Sequence, residues 1–269
     1  MPSVPVLIGV PYDASSSFQR GPAEAPGKIR EAFWSDSTNT WTESLRDLGV
    51  PGAIADAGDV VLTDATMLAE VEKVVRKELA QGRTPLVLGG DHSITLPVVR
   101  AVHRERGPFT ILHFDAHPDL YPEFQGDRFS HACPFYRIME ESLATSLTQV
   151  GIRTLSGIQA DSVKRWGVKQ VSPEQWNRGW VPELDGPVYL SIDLDVLDPA
   201  FAPGISHPEP GGCTTRQLIT AIQRINVPVI GADIVELNPR NDPAGLTARV
   251  AAKLVKEVAD RIMSNPATA

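Results

Sequence analysis

The residues best suited to chemistry are aspartates and histidines gathered in a few short segments. Asp115-Ala-His117-Pro-Asp119 spaces three possible ligands at i, i+2 and i+4, which in extended chain point to one side. A solvated acidic turn is the plain alternative. The proline and the clean alternation favour a metal site, because buried unpaired carboxylates are too costly to serve as packing. Asp193-Leu-Asp195 repeats the i, i+2 spacing and runs on into Val196-Leu197-Asp198-Pro199. Such a pair is weak alone and strong beside the first motif. Gly89-Gly90-Asp91-His92-Ser93 adds a histidine whose ordinary role would be a helix cap. It is no phosphate loop, since it lacks a Gly-Lys-Ser/Thr ending. The stretch Gly21 to Lys28 fails as one too, with Pro26 and Ile29 at the decisive places. Glu236, in Ala232–Pro239, and His131, in Ser130–Phe135, complete the set. An ion pair and a surface-loop histidine are their plain alternatives.

Oxygen and imidazole donors without thiolate suit hard-to-borderline divalent ions such as Mn²⁺. Four aspartates and two histidines exceed the three protein ligands usual for a catalytic Zn²⁺. They suit two bridged ions about 3.5–4 Å apart. Cys133 and Cys213 have no partner at a useful spacing and read as small buried or site-lining residues.

The elements that must position these groups are legible as short apolar runs: Val4–Val10, Leu86–Leu88, Phe109–Phe114, Thr148–Ile152, Val188–Ile192 and Pro228–Ile234, with Ala53–Asp59 and Val168–Val171 weaker. They are continuous rather than alternating, as strands covered on both faces are. Helical stripes lie between them at Ala65–Gln81, Thr214–Ile225 and Leu246–Met263. In the first, Asp64 is the expected N-cap and Gly82 the stop. The alternation predicts an α/β fold with a parallel sheet and helices on both faces. Each chemical motif follows an apolar run, so each is expected to open at the carboxyl edge of the sheet. We expect one domain over residues 1–269. The 269 residues carry a formal charge of −8, which argues against nucleic acid as a partner. No apolar run reaches the roughly 20 residues of a membrane span. Two cysteines and a start without a basic leader point to a cytoplasmic protein with free thiols.

Taken together, these segments resemble the ureohydrolase (arginase–agmatinase) family. Gly-Gly-Asp-His-Ser, Asp-Ala-His-Pro-Asp and Ser-Ile-Asp-Leu-Asp-Val-Leu-Asp-Pro stand as its three metal motifs, in order. The plant-type branch is the most similar, through Ser16–Ala23, Asp115–Tyr121, Ser130-His131-Ala132, Arg137–Glu140, Asp198–Gly212 and Gly231–Pro239. The resemblance runs from about residue 6 to residue 262. It implies a three-layer αβα sandwich around a mostly parallel sheet of about eight strands, and a two-Mn²⁺ centre that Ni²⁺ or Co²⁺ could also fill. On that resemblance His92, Asp115, Asp119 and Asp193 hold one ion, and Asp115, His117, Asp193 and Asp195 hold the other. His131 matches the proton-shuttling histidine, Glu236 the carboxylate that grips a guanidinium, and Asp119 a relay to the leaving amine. The implied partners are a small cationic guanidino substrate and further copies of the chain, as a trimer or hexamer, with neither nucleic acid nor membrane.

The substrate's far end is less defined. Animal-type arginases place an Asn where Tyr121 stands, as agmatinases tend not to, and a carboxylate in the region that here reads Gly151-Ile-Arg-Thr-Leu-Ser156. His207 replaces a frequent Thr near the guanidinium. The expected reaction is hydrolysis of L-arginine to ornithine and urea, with agmatine close behind. Another guanidino compound such as guanidinobutyrate, a single-zinc deacetylase-like hydrolysis, and an inactive regulatory relative are the alternatives. His113 is expected to be structural, and His103 has no expected role.

Overall fold

The computed structural model describes residues 3–264. Eight strands form one sheet: β1 (Val4–Val10), β2 (Ala55–Asp59), β3 (Arg83–Gly89), β4 (Thr110–Phe114), β5 (Ser146–Val150), β6 (Lys169–Val171), β7 (Val188–Asp193) and β8 (Val229–Val235). Their order is β2-β1-β3-β8-β7-β4-β5-β6, and every pairing is parallel. All the expected runs are strands, including the two weaker ones. The longest helices are α1 (Ala25–Phe33), α2 (Met67–Ala80), α3 (Thr95–Arg106), α4 (Pro134–Glu140), α5 (Gly157–Trp166), α6 (Pro173–Asn177), α7 (Thr215–Gln223) and α8 (Leu246–Met263). No helix among the described residues is long and apolar enough to cross a membrane.

The continuous apolar runs have a simple cause. Leu7, Leu86, Leu88, Leu112, Leu190 and Ile234 point to one face, where α1, α7 and α8 cover them. Val6, Ile8, Val87, Ile111, Tyr189 and Val235 point to the other, under α2 and α3. Both faces are buried, so neither tolerates the polar alternation of a half-exposed sheet. Of the two local expectations for α2, the start shifts and the stop holds. Helix α2 begins at Met67 with Thr66 at its N-cap, not Asp64; the Thr66 hydroxyl accepts from the Thr63 amide (2.9 Å) and makes no cap bond to the helix. Gly82 follows the helix with φ +77, as a stop requires.

The four central strands, β3, β8, β7 and β4, are the ones whose carboxyl ends lead into the chemical motifs. The ends of β1, β3 and β8 are tied by backbone bonds around Gly90: its amide donates to Val10 O (3.1 Å), its carbonyl accepts from Glu236 N (2.9 Å), and Asp91 N donates to Tyr12 O (2.8 Å). A Cβ at Gly90 would lie 1.8 Å from the Tyr12 carbonyl oxygen, so no side chain fits without moving backbone. Gly90→Ala is expected to cost about 2–3 kcal/mol through overpacking. A denaturant titration checks this: the midpoint should fall at an unchanged m-value, and a loss below about 0.5 kcal/mol would contradict the account.

Candidate metal centre

His92 follows β3, Asp115 follows β4, Asp193 closes β7, and Glu236 follows β8, so the parallel register delivers all four to one edge. Asp119 and His131 arrive on the long loop after β4. Asp119 and Glu236 both adopt left-handed backbone, φ +49 and +66, conformations that non-glycine residues take at some cost. The loop is held by Leu120 N on Gln159 Oε1 (3.1 Å), Tyr121 N on Ala132 O (3.2 Å) and Arg137 Nη2 on Pro122 O (2.9 Å).

The side chains form two groups that share Asp115. In the first, His92 Nδ1 lies 3.2 Å from Asp115 Oδ2, 3.1 Å from Asp119 Oδ2 and 3.3 Å from Asp193 Oδ2. In the second, His117 Nδ1 lies 2.7 Å from Asp195 Oδ2 and 3.5 Å from Asp115 Oδ1. Asp193 is tied to that group through the Asp195 amide on its Oδ1 (2.8 Å). His92, Asp115, Asp119, Asp193 and Asp195 are all buried; His117 is partly open.

The surroundings decide how His92 presents itself. Its Nε2 meets Ser191 Oγ (2.9 Å), and that hydroxyl gives its own proton to Asp233 Oδ1 (2.6 Å). The hydroxyl is therefore an acceptor towards His92, so Nε2 carries the hydrogen and Nδ1 presents a lone pair. Nδ1 is buried with no hydrogen-bond partner, facing three carboxylate oxygens. A lone pair and three acceptors converging in a buried space call for positive charge at that point. This donor set fits a divalent cation. The titration behaviour expresses the same need. Burial resists charging His92, yet the carboxylates raise its pKa well above the ordinary value. Burial drives Asp193 well up, with Asp195 and Asp115 adding repulsion, and pushes Asp195 to about 6. Burial acts the same way on Asp115, but His113, His117 and His92 outweigh it and hold that carboxyl well below its usual range. A proton at this cluster and a metal ion answer one electrostatic demand.

A second cluster joins His131, Glu236 and His207. Glu236 Oε1 accepts from His92 N (2.9 Å) and from His131 Nδ1 (2.9 Å), while Oε2 is buried without a partner. Ser17 donates its amide to His131 Nε2 (3.2 Å), with its hydroxyl 2.8 Å away. Geometry and charge compete here. The amide contact favours the neutral ring, whereas Glu236, against the opposing effect of burial, raises the imidazole to about 9. The 2.9 Å carboxylate decides for the raised value, and the Ser17 hydroxyl can turn to accept the Nε2 hydrogen. Burial lowers the pKa of His207, leaving it neutral. Ser17, His117, Asp119, Tyr121, Phe124, His131, Thr154, Gln159, His207 and Glu236 line one cleft of about 210 Å³. A larger cavity between α1 and the start of α8 lies away from these groups.

Every expected site residue thus reaches one region. Several contributors were not foreseen. His113, read as structural, holds Asp115 Oδ2 through Nε2 (2.8 Å) while Gln149 meets its Nδ1 (3.1 Å). Asp91 accepts from Ser93 and from Ser15 N (3.0 Å), anchoring the loop that brings Ser17 to His131. Asp233 lies three residues before Glu236 within a quoted motif, and only its place in the sheet reveals its role. His103 binds the Leu143 carbonyl (2.8 Å), a structural role. Both cysteines are free and buried.

A parallel αβα sheet with paired carboxylate–histidine clusters at its carboxyl edge is the architecture of a metal-dependent hydrolase. The sequence model of the arginase family matches residues 4–259, and the chain belongs to that family, a family of metal-dependent ureohydrolases. It is 45% identical over 277 aligned positions to "Arginase 1, mitochondrial" of Arabidopsis thaliana, covering 95% of this chain and 80% of that one. It is 36% identical to the N(1)-aminopropylagmatine ureohydrolase of Thermus thermophilus, over 87% of this chain and 82% of that protein. The solved arginase of Medicago truncatula superposes with a TM-score of 0.91 at 42% identity, covering 97% of this chain and 88% of that chain. These relatives correct one expectation. The cytoplasmic assignment rested on cysteine number and the lack of a basic leader, whereas the 45%-identical relatives are named mitochondrial. Met1 and Pro2, part of the start on which that expectation rested, lie outside the described residues.

The Glu236–His131 pair makes a titration prediction. Glu236→Gln removes the anion that raises the imidazole and leaves burial, which lowers it. The His131 midpoint should drop from about 9 towards or below the ordinary value of about 6.5. Between pH 7 and 9 the parent then carries a proton that the variant lacks. NMR titration of the imidazole after chelation reads this directly, and a midpoint still near 9 would mean that another group raises it.

Proposed function

We propose that the protein hydrolyses L-arginine to ornithine and urea at a two-ion centre. The observation that carries this is the buried lone pair of His92 Nδ1 facing three carboxylate oxygens, with the free Glu236 Oε2 in the same cleft. In this reading His92, Asp115, Asp119 and Asp193 hold one ion. Asp115, His117, Asp193 and Asp195 hold the other, with Asp115 and Asp193 shared. Mn²⁺ suits the donors, and Ni²⁺ or Co²⁺ can take their place. Two such ions, when bound, supply Lewis acidity that brings the pKa of water towards neutrality, which a resonance-stabilised guanidinium requires of its nucleophile.

The chain's own residues do the rest. Glu236 Oε2 accepts from the guanidinium and orients it by charge-assisted hydrogen bonds. Asp119 passes a proton to the departing amine, and His131 exchanges one with solvent at Nε2 beside the Ser17 hydroxyl. Tyr121 and His207 flank the alkyl chain. Water and guanidinium leave as urea and a protonated primary amine. Similarity to curated arginases supports arginine. Agmatine is the second reading, because none of the cleft-lining residues is a lysine or arginine that would pair an α-carboxylate. We read residues 1–269 as one ureohydrolase domain that works as a homo-oligomer, a trimer or hexamer; residues 1–2 and 265–269 lie outside the described part.

The test is urea release from Mn²⁺-loaded protein across arginine, agmatine, 4-guanidinobutyrate and guanidine. Chelation should abolish release and added Mn²⁺ restore it. Asp193→Ala should lose both ions by metal analysis and reduce kcat by at least about 10³-fold, given the several kcal/mol such centres supply. Full activity in that variant, or one ion per parent chain, would refute the two-ion reading.

A further inference from the structure

We propose that the Glu209 carboxylate, standing on a rigid segment at the rim of the cleft, binds an amino group at the far end of the substrate's alkyl chain. This rests on reading the cleft as a guanidino-substrate site. Glu209 lies between two prolines in His207-Pro-Glu-Pro210, so its backbone has little freedom. Arg153 fixes it further, donating from Nε (3.1 Å) and Nη2 (2.6 Å) to the Glu209 carbonyl and from Nη2 to the Asp195 carbonyl (2.7 Å). The segment is thereby locked to the backbone of a candidate metal ligand. On its other side His207 lines the cleft.

The carboxylate itself is left available. Its one ionisable contact within 4.0 Å among the described residues is His117 Nε2, at 4.0 Å and too far for a hydrogen bond, and the side chain is 41% exposed. Basic groups on the surrounding loops are engaged elsewhere: Arg20 with Asp13, Arg128 with Glu140, and Arg153 with main-chain carbonyls. The rim therefore offers an unpaired carboxylate carried on a fixed backbone, with the nearby Arg153 guanidinium turned onto main-chain carbonyls. An ammonium is the complementary group. The fixed backbone matters because little loop freedom remains to be lost on binding. The amine is recognised at the end remote from the reacting carbon, so Glu209 is a specificity residue that touches substrate without taking part in bond making.

Three substrates separate the effects: agmatine with a terminal amine, butylguanidine with none, and 4-guanidinobutyrate with a carboxylate. Glu209→Gln should lower kcat/KM for agmatine about tenfold, chiefly through KM, with butylguanidine unchanged. The parent's preference for agmatine over butylguanidine should shrink with added salt, and that salt dependence should vanish in the variant. Glu209→Lys should improve 4-guanidinobutyrate relative to agmatine. Unchanged agmatine kinetics in Glu209→Gln would overturn the proposal and leave the site reading intact. An equal loss on all substrates with reduced metal content would overturn it too, by making Glu209 a support for His117. A parent protein that releases urea from none of these and none from arginine would overturn the site reading and this inference together.

Discussion

The structure turns on the mutual repulsion of four carboxylates held at the carboxyl edge of one sheet. Asp115, Asp119, Asp193 and Asp195 are each at most 7% exposed, and His92 among them has no exposure. Water cannot screen such a group, and isolated buried charges are strongly unfavourable. The surrounding fold must therefore hold it against that repulsion and present it to positive charge. Two devices do this: rigid strand ends deliver the side chains, and a buried polar layer beneath them sets their orientation.

That layer is a direct product of strand register. Gln170, Gln149, His113, Ser191 and Asp233 are successive cross-strand partners on β6, β5, β4, β7 and β8. They run in one row through an otherwise apolar sheet. Gln170 donates to Gln149 (2.9 Å), and Gln149 Nε2 faces both His113 and the Pro118 carbonyl (2.6 Å). Asp233 receives the hydroxyls of Ser191, Thr95 and Tyr189. Burial raises the Tyr189 phenol well above its ordinary value, with Asp233 reinforcing it, so it stays a donor. Because strand side chains repeat with period two, His113 and Ser191 share a face with Asp115 and Asp193. The row thus lies one step behind the cluster. His113 supports Asp115, and Ser191 with Asp233 sets the tautomer of His92.

Opposite the cluster, the loops bring a second acidic group into the cleft. Glu236 lies between two histidines, with one oxygen engaged and the other free. Its left-handed backbone, like that of Asp119, turns the chain sharply at the end of a run of extended structure. The loop after β1 completes the wall, since Asp91 holds Ser15 while Ser17 reaches His131. Under the proposed function, acidity is concentrated where a cationic substrate enters, and the rim continues the pattern at Glu209.

The sequence by itself determined the metal-ligand candidates, because aspartate and histidine at i, i+2 spacing after apolar runs have few other uses, and the parallel α/β class, because continuous apolar strands need cover on both faces. It also carried the family through segments spread over most of the chain. Tertiary structure decided everything that depends on strand order. β3, β8, β7 and β4 are neighbours in space and far apart in sequence, so the sharing of Asp115 by two clusters could not be read from spacing. The polar row was hidden for the same reason: Gln149, Ser191 and Asp233 are unremarkable singly and become a network only in register. Ser17 and Glu209 acquire meaning only once His131 and His117 stand beside them. Local pattern encodes which residues can do chemistry, whereas partners and protonation arise from contacts that only the folded sheet creates.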